Sequence, residues 1–213
     1  MAMIKLKNIV KKYDDKVVFD NFNLEIEKGK ILVILGESGS GKTTLLNILS
    51  NLTDYLGEVI DNLSPVSYVF QNDRLIKNMT VKENLRLIYD GVDLTAELEK
   101  MGIENAKDLY PKELSAGMSR RVNLLRAILK DAPLMLLDEP TINLDLKNKY
   151  SILKILKERQ YKAKNTLVFV THDIEEALLV ADRIVVLSNG KITLDKDNVS
   201  EKDRDIIIQA ILK

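Results

Sequence analysis

Apolar and polar residues alternate at the start of the chain. In "IKLKNIV" and "FNLEIE" the pattern has the two-residue period of strands with one buried face, and the second run stops at Lys28-Gly29. "KILVIL" then abandons alternation for a continuous apolar run, which predicts a strand covered on both faces, as in a parallel sheet. "VSYVF", "LMLL", "TLVFV" and "RIVVL" are runs of the same kind. Helical periodicities separate several of them, which predicts βαβ units around a mainly parallel sheet. "SNGKITL" holds an Asn189-Gly190 turn and predicts a closing hairpin.

The middle of the chain reads differently. From about Arg74 to Lys130 no strand pattern stands out. Thr80-Val81-Lys82-Glu83 is a capping box, and the apolar residues Leu85, Leu87 and Ile88 follow it. The segment reads as a helical lobe inserted between two strands. The expected organisation is one domain over 1–213, with a core of 1–73 and 131–213 and a helical subdomain over about 74–130. The last stretch, "VSEKDRDIIIQAILK", predicts a short amphipathic helix.

Composition narrows the classes. The chain has 213 residues, 46% of them hydrophobic and 30% charged, enough for one sizeable core. Lysine plus arginine equals aspartate plus glutamate at 32 each, so no basic excess argues for a nucleic-acid partner, and none is expected. The absence of cysteine excludes disulfides and thiolate metal sites and fits the reducing cytoplasm. The apolar runs fall far short of the roughly 20 residues that span a bilayer. The opening "MAMIKLKNIVKKY" has no apolar signal core, so neither export nor a membrane span is expected, while a membrane partner stays open.

The chemistry begins after "KILVIL". Gly36-Glu37-Ser38-Gly39-Ser40-Gly41-Lys42-Thr43 fits G-x-x-x-x-G-K-[ST], and the "TTLLNILSNL" helix pattern follows at once. Glycines let successive backbone N–H groups approach phosphate oxygens at the positive end of that helix. Lys42 then reaches the β- and γ-phosphates, and the Thr43 hydroxyl is a Mg²⁺ ligand. "LMLLDEP" sets Asp138 and Glu139 at the exit of an apolar strand, where Asp138 acts on Mg²⁺ and Glu139 polarises a water that attacks the γ-phosphate. No guanine-reading "NKxD" motif is present, so GTP has no support.

The succession Tyr13, "GESGSGKTT", Gln71, "LSAGM", "LMLLDE", "INLD", His172 resembles the ATP-binding subunit of an ABC transporter over essentially the whole chain. That resemblance implies an α/β fold with a P-loop NTPase core, a mainly parallel central sheet, an N-terminal antiparallel β portion and an inserted helical lobe. It implies that Tyr13 stacks on adenine and that Gly36, Glu37, Ser38, Gly39, Ser40, Gly41, Lys42, Thr43 and Thr44 hold the phosphates. Gln71 is implied to touch nucleotide-bound Mg²⁺ or water at the junction of sheet and lobe. "LSAGM" resembles the family signature LSGGQ, so Ser115 and the Gly117 N–H are implied to serve the ATP of a second, head-to-tail subunit. His172, the single histidine, matches the switch histidine, and Asp145 the loop that crosses the dimer interface. Three positions depart from the usual pattern: Ala116 and Met118 within the signature, and Ile142-Asn143 in "TINLD".

The resemblance therefore implies an ATP hydrolase with catalytic residues Lys42, Glu139 and His172, using ATP and Mg²⁺, with Thr43, Gln71 and Asp138 at the metal. It implies a homodimer on the inner face of the cell membrane, driving transmembrane permease subunits, with a substrate-binding protein reached through them. Met118 and "VFQNDRL" lean towards importers of nitrate, sulfonate, taurine or pyrimidine precursors. The alternatives are a regulatory ATP-binding module or an exporter subunit with weak hydrolysis.

Overall fold

The computed structural model describes residues 3–61, 63–89 and 93–212. The outer ends of the expected domain, Met1, Ala2 and Lys213, lie outside the described residues. Two sheets organise the rest. Strands β1 (Met3–Tyr13) and β2 (Lys16–Glu27) form an antiparallel pair, and β4 (Leu56–Ile60) joins the other edge of β1. The larger sheet has the order β5 (Val66–Val69), β6 (Leu134–Asp138), β7 (Thr166–Val170), β3 (Ile31–Leu35), β8 (Arg183–Ser188), β9 (Lys191–Asp197). All its pairs are parallel except β8–β9, the hairpin closed by Asn189-Gly190.

The unbroken apolar runs are explained by the two faces of this sheet. Along β3, Leu32 and Ile34 point into one core with β1, β2 and helix α1 (Lys42–Leu49). Ile31, Val33 and Leu35 point into the other. That second core holds α2 (Val81–Arg86), α3 (Leu94–Lys100), α4 (Ala116–Leu129), α5 (Leu146–Ala163), α6 (Ile174–Val180) and α7 (Arg204–Ile211). Both parities of such a strand are apolar because both are removed from water, each side chain contributing roughly 1.5–3 kcal/mol.

Helices α2, α3 and α4 occupy the stretch between β5 and β6. The Thr80–Glu83 capping box forms: Glu83 N donates to Thr80 Oγ1 and Thr80 N to Glu83 Oε2. Leu85 behind it is buried, but Leu87 and Ile88 are 55% and 39% exposed, because α2 ends at Arg86 and the chain turns outward. Strand β4 was not foreseen, since "LGEVI" is an exposed edge strand without a continuous apolar face.

The β8–β9 turn reaches the loop that follows β3. Gly190 has φ 72°, donates its N–H to Ser40 O at 3.1 Å, and would place a Cβ 1.9 Å from Val18 O. Gly190→Ala is expected to cost about 2 kcal/mol through strain and forced movement of β2, lowering the melting midpoint by roughly 4–8 °C in a thermal scan.

Candidate functional site

Strand β3 ends at Leu35 and the chain enters the glycine-rich loop. Gly36 lies at φ 153°, and a Cβ there would come within 2.2 Å of Leu187 O, so β8 packs on bare backbone. Helix α1 starts at Lys42, directly after Gly41. Its first turn carries no acidic residue, which leaves the positive end of its dipole uncancelled. Lys42 is 7% exposed and donates to Gly36 O and Glu37 O, both at 2.7 Å, so its ammonium is held across the mouth of the loop. Burial pushes its pKa below the ordinary lysine value. Ser40 Oγ is buried with no hydrogen-bond partner. A buried ammonium beside an uncancelled helix N-terminus fits an anionic group rich in acceptor oxygens, such as a polyphosphate.

The acidic half comes from β6. Parallel pairing of β6 with β7 carries Asp138 to the same end of the sheet as the loop after β3. Thr43 Oγ1 donates to Asp138 Oδ2 at 2.8 Å, which brings two residues 95 positions apart into one site. Hydroxyl and carboxylate together suit a hard cation that retains water and phosphate oxygens in its shell. Glu139 leaves the strand at φ 46°, its N–H donating to Val170 O at 2.9 Å. This turn swings its carboxylate to 3.1 Å from His172 Nδ1, which β7 delivers two residues past its end.

A cleft of about 270 Å³ gathers Tyr13, Ser38, Gly39, Gly41, Lys42, Thr43, Thr44, Gln71, Asp138 and Glu139. Gly36, Glu37 and Ser40 belong to the same loop without lining that cleft. Tyr13, 43% exposed, ends β1 with Lys11 Nζ 4.4 Å from its ring centroid. His172 lines a neighbouring hollow that shares Glu139. Ser115 and Gly117 line neither. Ser115 caps α4, its Oγ accepting from Met118 N at 3.2 Å. A Cβ on Gly117 would sit 3.4 Å from Asn143 O, so the start of α4 abuts the loop before Asp145. Asn143 occupies φ 64°, a conformation asparagine tolerates better than most residues. Asp145 caps α5 by accepting from Asn148 N.

Three side chains near these residues escaped sequence reasoning. Lys16 lines the cleft, with its Nζ 4.0 Å from where a Gly39 Cβ would stand. Glu176, 3% exposed, accepts from Thr141 and Thr171 and pairs with Lys149, tying the Asp145 loop to the His172 strand end. Arg120 is fully buried and bonded to backbone carbonyls. Acceptors of that kind leave no trace in a residue pattern.

Asp138 is 2% exposed, and burial, with help from Glu139, pushes its carboxyl above the ordinary aspartate value against the opposing pull of Thr43, Lys42 and Arg120. A carboxyl raised on folding makes the protein less stable as pH climbs through that pKa, because ionisation is costlier in the native state than in the unfolded one. Asp138→Asn keeps the acceptor for Thr43 and cannot ionise. It is expected to melt a few degrees above the wild type at pH 7, with the gain disappearing in acid below the unfolded aspartate value.

A family profile described as "ABC transporter" matches residues 19–142. An aliphatic sulfonates import ATP-binding protein of Rhodococcus jostii is 35% identical over 205 residues, covering 92% of this chain and 82% of that protein. An Fe(3+) ions import ATP-binding protein of Fusobacterium nucleatum is 35% identical over 209 residues; the match covers 89% of this chain but spans only 56% of the length of that protein. A dimeric ATP-binding cassette in a post-hydrolysis state, bound to ADP and Pi, superimposes with a TM-score of 0.79 at 34% identity, covering 92% of this chain and 98% of the other.

Proposed function

The chain belongs to the ABC transporter ATP-binding family, and from that premise we propose that it is the ATP-hydrolysing subunit of an importer, working as a head-to-tail pair. The observation that carries the reading is the junction of Thr43 with Asp138 and of Glu139 with His172 at one end of the sheet. The loop N–H groups and Lys42 hold the phosphates, and Tyr13 offers its exposed ring face to the adenine. Glu139 takes a proton from the attacking water, and His172 keeps the carboxylate and the γ-phosphate in register. Mg²⁺, when bound, neutralises phosphate charge, and Thr43, Asp138 and Gln71 are the residues placed to hold it. Ser115 and Gly117, which do not line their own chain's cleft, complete the site of the second copy.

The helical stretch over about 74–130, together with the exposed residues Ile76, Leu87, Ile88 and Tyr89, offers a surface for membrane permease subunits on the inner face of the cell membrane. Among the described residues no helix is long and apolar enough to cross a membrane. The names of both relatives support import, and Met118 with "VFQNDRL" supports small anions such as sulfonates as cargo, delivered by a substrate-binding protein. Affinity capture with the tagged chain from detergent-solubilised membranes is expected to retain a polytopic membrane protein, released by Ile88→Glu. Capture of soluble proteins alone would refute the transporter assignment.

A further inference from the structure

Among the described residues Arg120 is the largest fully buried side chain, and the bonds of its guanidinium all leave its own helix. It sits one turn into α4, the helix that Ser115 caps. Its guanidinium divides its donors between two strand ends. On one side Nε donates to Pro140 O at 3.0 Å, and Nη2 donates to Asp138 O at 2.8 Å and Glu139 O at 2.6 Å. On the other, Nη1 donates to Phe70 O at 2.5 Å and Gln71 O at 3.3 Å, with Asp73 Oδ1 at 3.4 Å.

A buried cation is costly unless its donors are satisfied, and only a planar fork satisfies so many in two directions at once. The arrangement is therefore rigid: α4 cannot shift without drawing on the backbone of Gln71 and of Asp138 to Pro140. Ordinary core packing needs none of this, since an apolar side chain of similar volume would fill the space.

We propose that Arg120 is a positioning residue, a strut that transmits the position of the Ser115 end of α4 to the Glu139 and Gln71 backbones, so that engagement of Ser115 by the second copy sets the hydrolytic geometry. The inference rests on the reading of the site given above. Arg120 lines neither the cleft nor the hollow beside it, so its loss leaves the phosphate loop intact and displaces Glu139.

The test is steady-state hydrolysis and ADP binding by Arg120→Gln and Arg120→Lys, well below the melting midpoint. Both variants lose one arm of the fork. Both are expected to show kcat lowered about 10–100-fold, with KM for ATP and affinity for ADP within about threefold of wild type. That split separates positioning from partial unfolding, which would lower kcat and ADP-binding capacity in the same proportion. Recovery of kcat in the lysine variant would overturn the strut and leave only a charge effect. Should neither variant fold, Asp73→Asn, at a partly exposed position, decides: a drop in kcat of about threefold at constant KM supports the strut, and an unchanged kcat overturns it. An active wild type with equally active Arg120 variants would sink this inference alone, whereas an inactive wild type would sink the reading of the site and the strut with it.

Discussion

Glu139→Gln is expected to lower ATP turnover by about 10²–10⁴-fold while leaving ATP affinity nearly unchanged. The substitution preserves size and one acceptor oxygen, so the left-handed turn at residue 139 and the N–H bond to Val170 O survive. What it removes is the capacity to take a proton. The carboxylate lies 3.1 Å from His172 Nδ1, and an amide in its place can still hydrogen-bond the imidazole but cannot act as a base. Because Lys42, the loop N–H groups and the Thr43–Asp138 pair lie outside this change, binding persists. Phosphate release in steady state, set against equilibrium binding of ATP, checks both halves. Turnover within tenfold of wild type would remove Glu139 from the role of base.

Ser115→Arg is expected to abolish turnover, by 10²-fold or more, with ATP still bound by each separate chain. The first turn of α4 has no acidic residue and starts at an exposed serine, a helix end suited to an anion supplied from outside. In the head-to-tail pair proposed here, an arginine at this position puts a long cationic side chain into the space meant for the second copy's nucleotide. The folding cost is small by comparison, since losing the bond from Met118 N to Ser115 Oγ removes one cap of about 1 kcal/mol. Analytical ultracentrifugation with ATP in the Glu139→Gln background is expected to show dimers that disappear when Ser115→Arg is added. Dimers that persist would contradict the assignment of the signature.

Much of this arrangement was legible in the residues, and the reason is local. Strands buried on both faces announce themselves as unbroken apolar runs, so β3, β6, β7 and β8 could be read directly. The groups that meet at the sheet end lie in short contiguous motifs, each immediately after such a strand, and parallel pairing then brings them to one end. Strand β4 was illegible because its stability comes from pairing with β1 rather than from an apolar face of its own. The end of α2 was not legible either, because the apolar residues Leu87 and Ile88 just beyond it do not say where a helix stops. Arg120 and Glu176 were missed for a common reason. The partners of Arg120 are backbone carbonyls remote in sequence, Glu176 joins the nearby Thr171 to the remote Thr141, and one basic or acidic residue on a helix normally signals a solvated face.

Two copies acting together are the centre of the account, and one measurement addresses that directly: specific ATPase activity of the wild-type chain as its concentration is raised roughly 100-fold from the submicromolar range. Mass action predicts activity per chain that climbs with concentration and then levels off, as separate chains pair across bound ATP. Constant activity per chain over the whole range, unaffected by Ser115→Arg, would show that one chain completes its own site and would contradict the head-to-tail assembly.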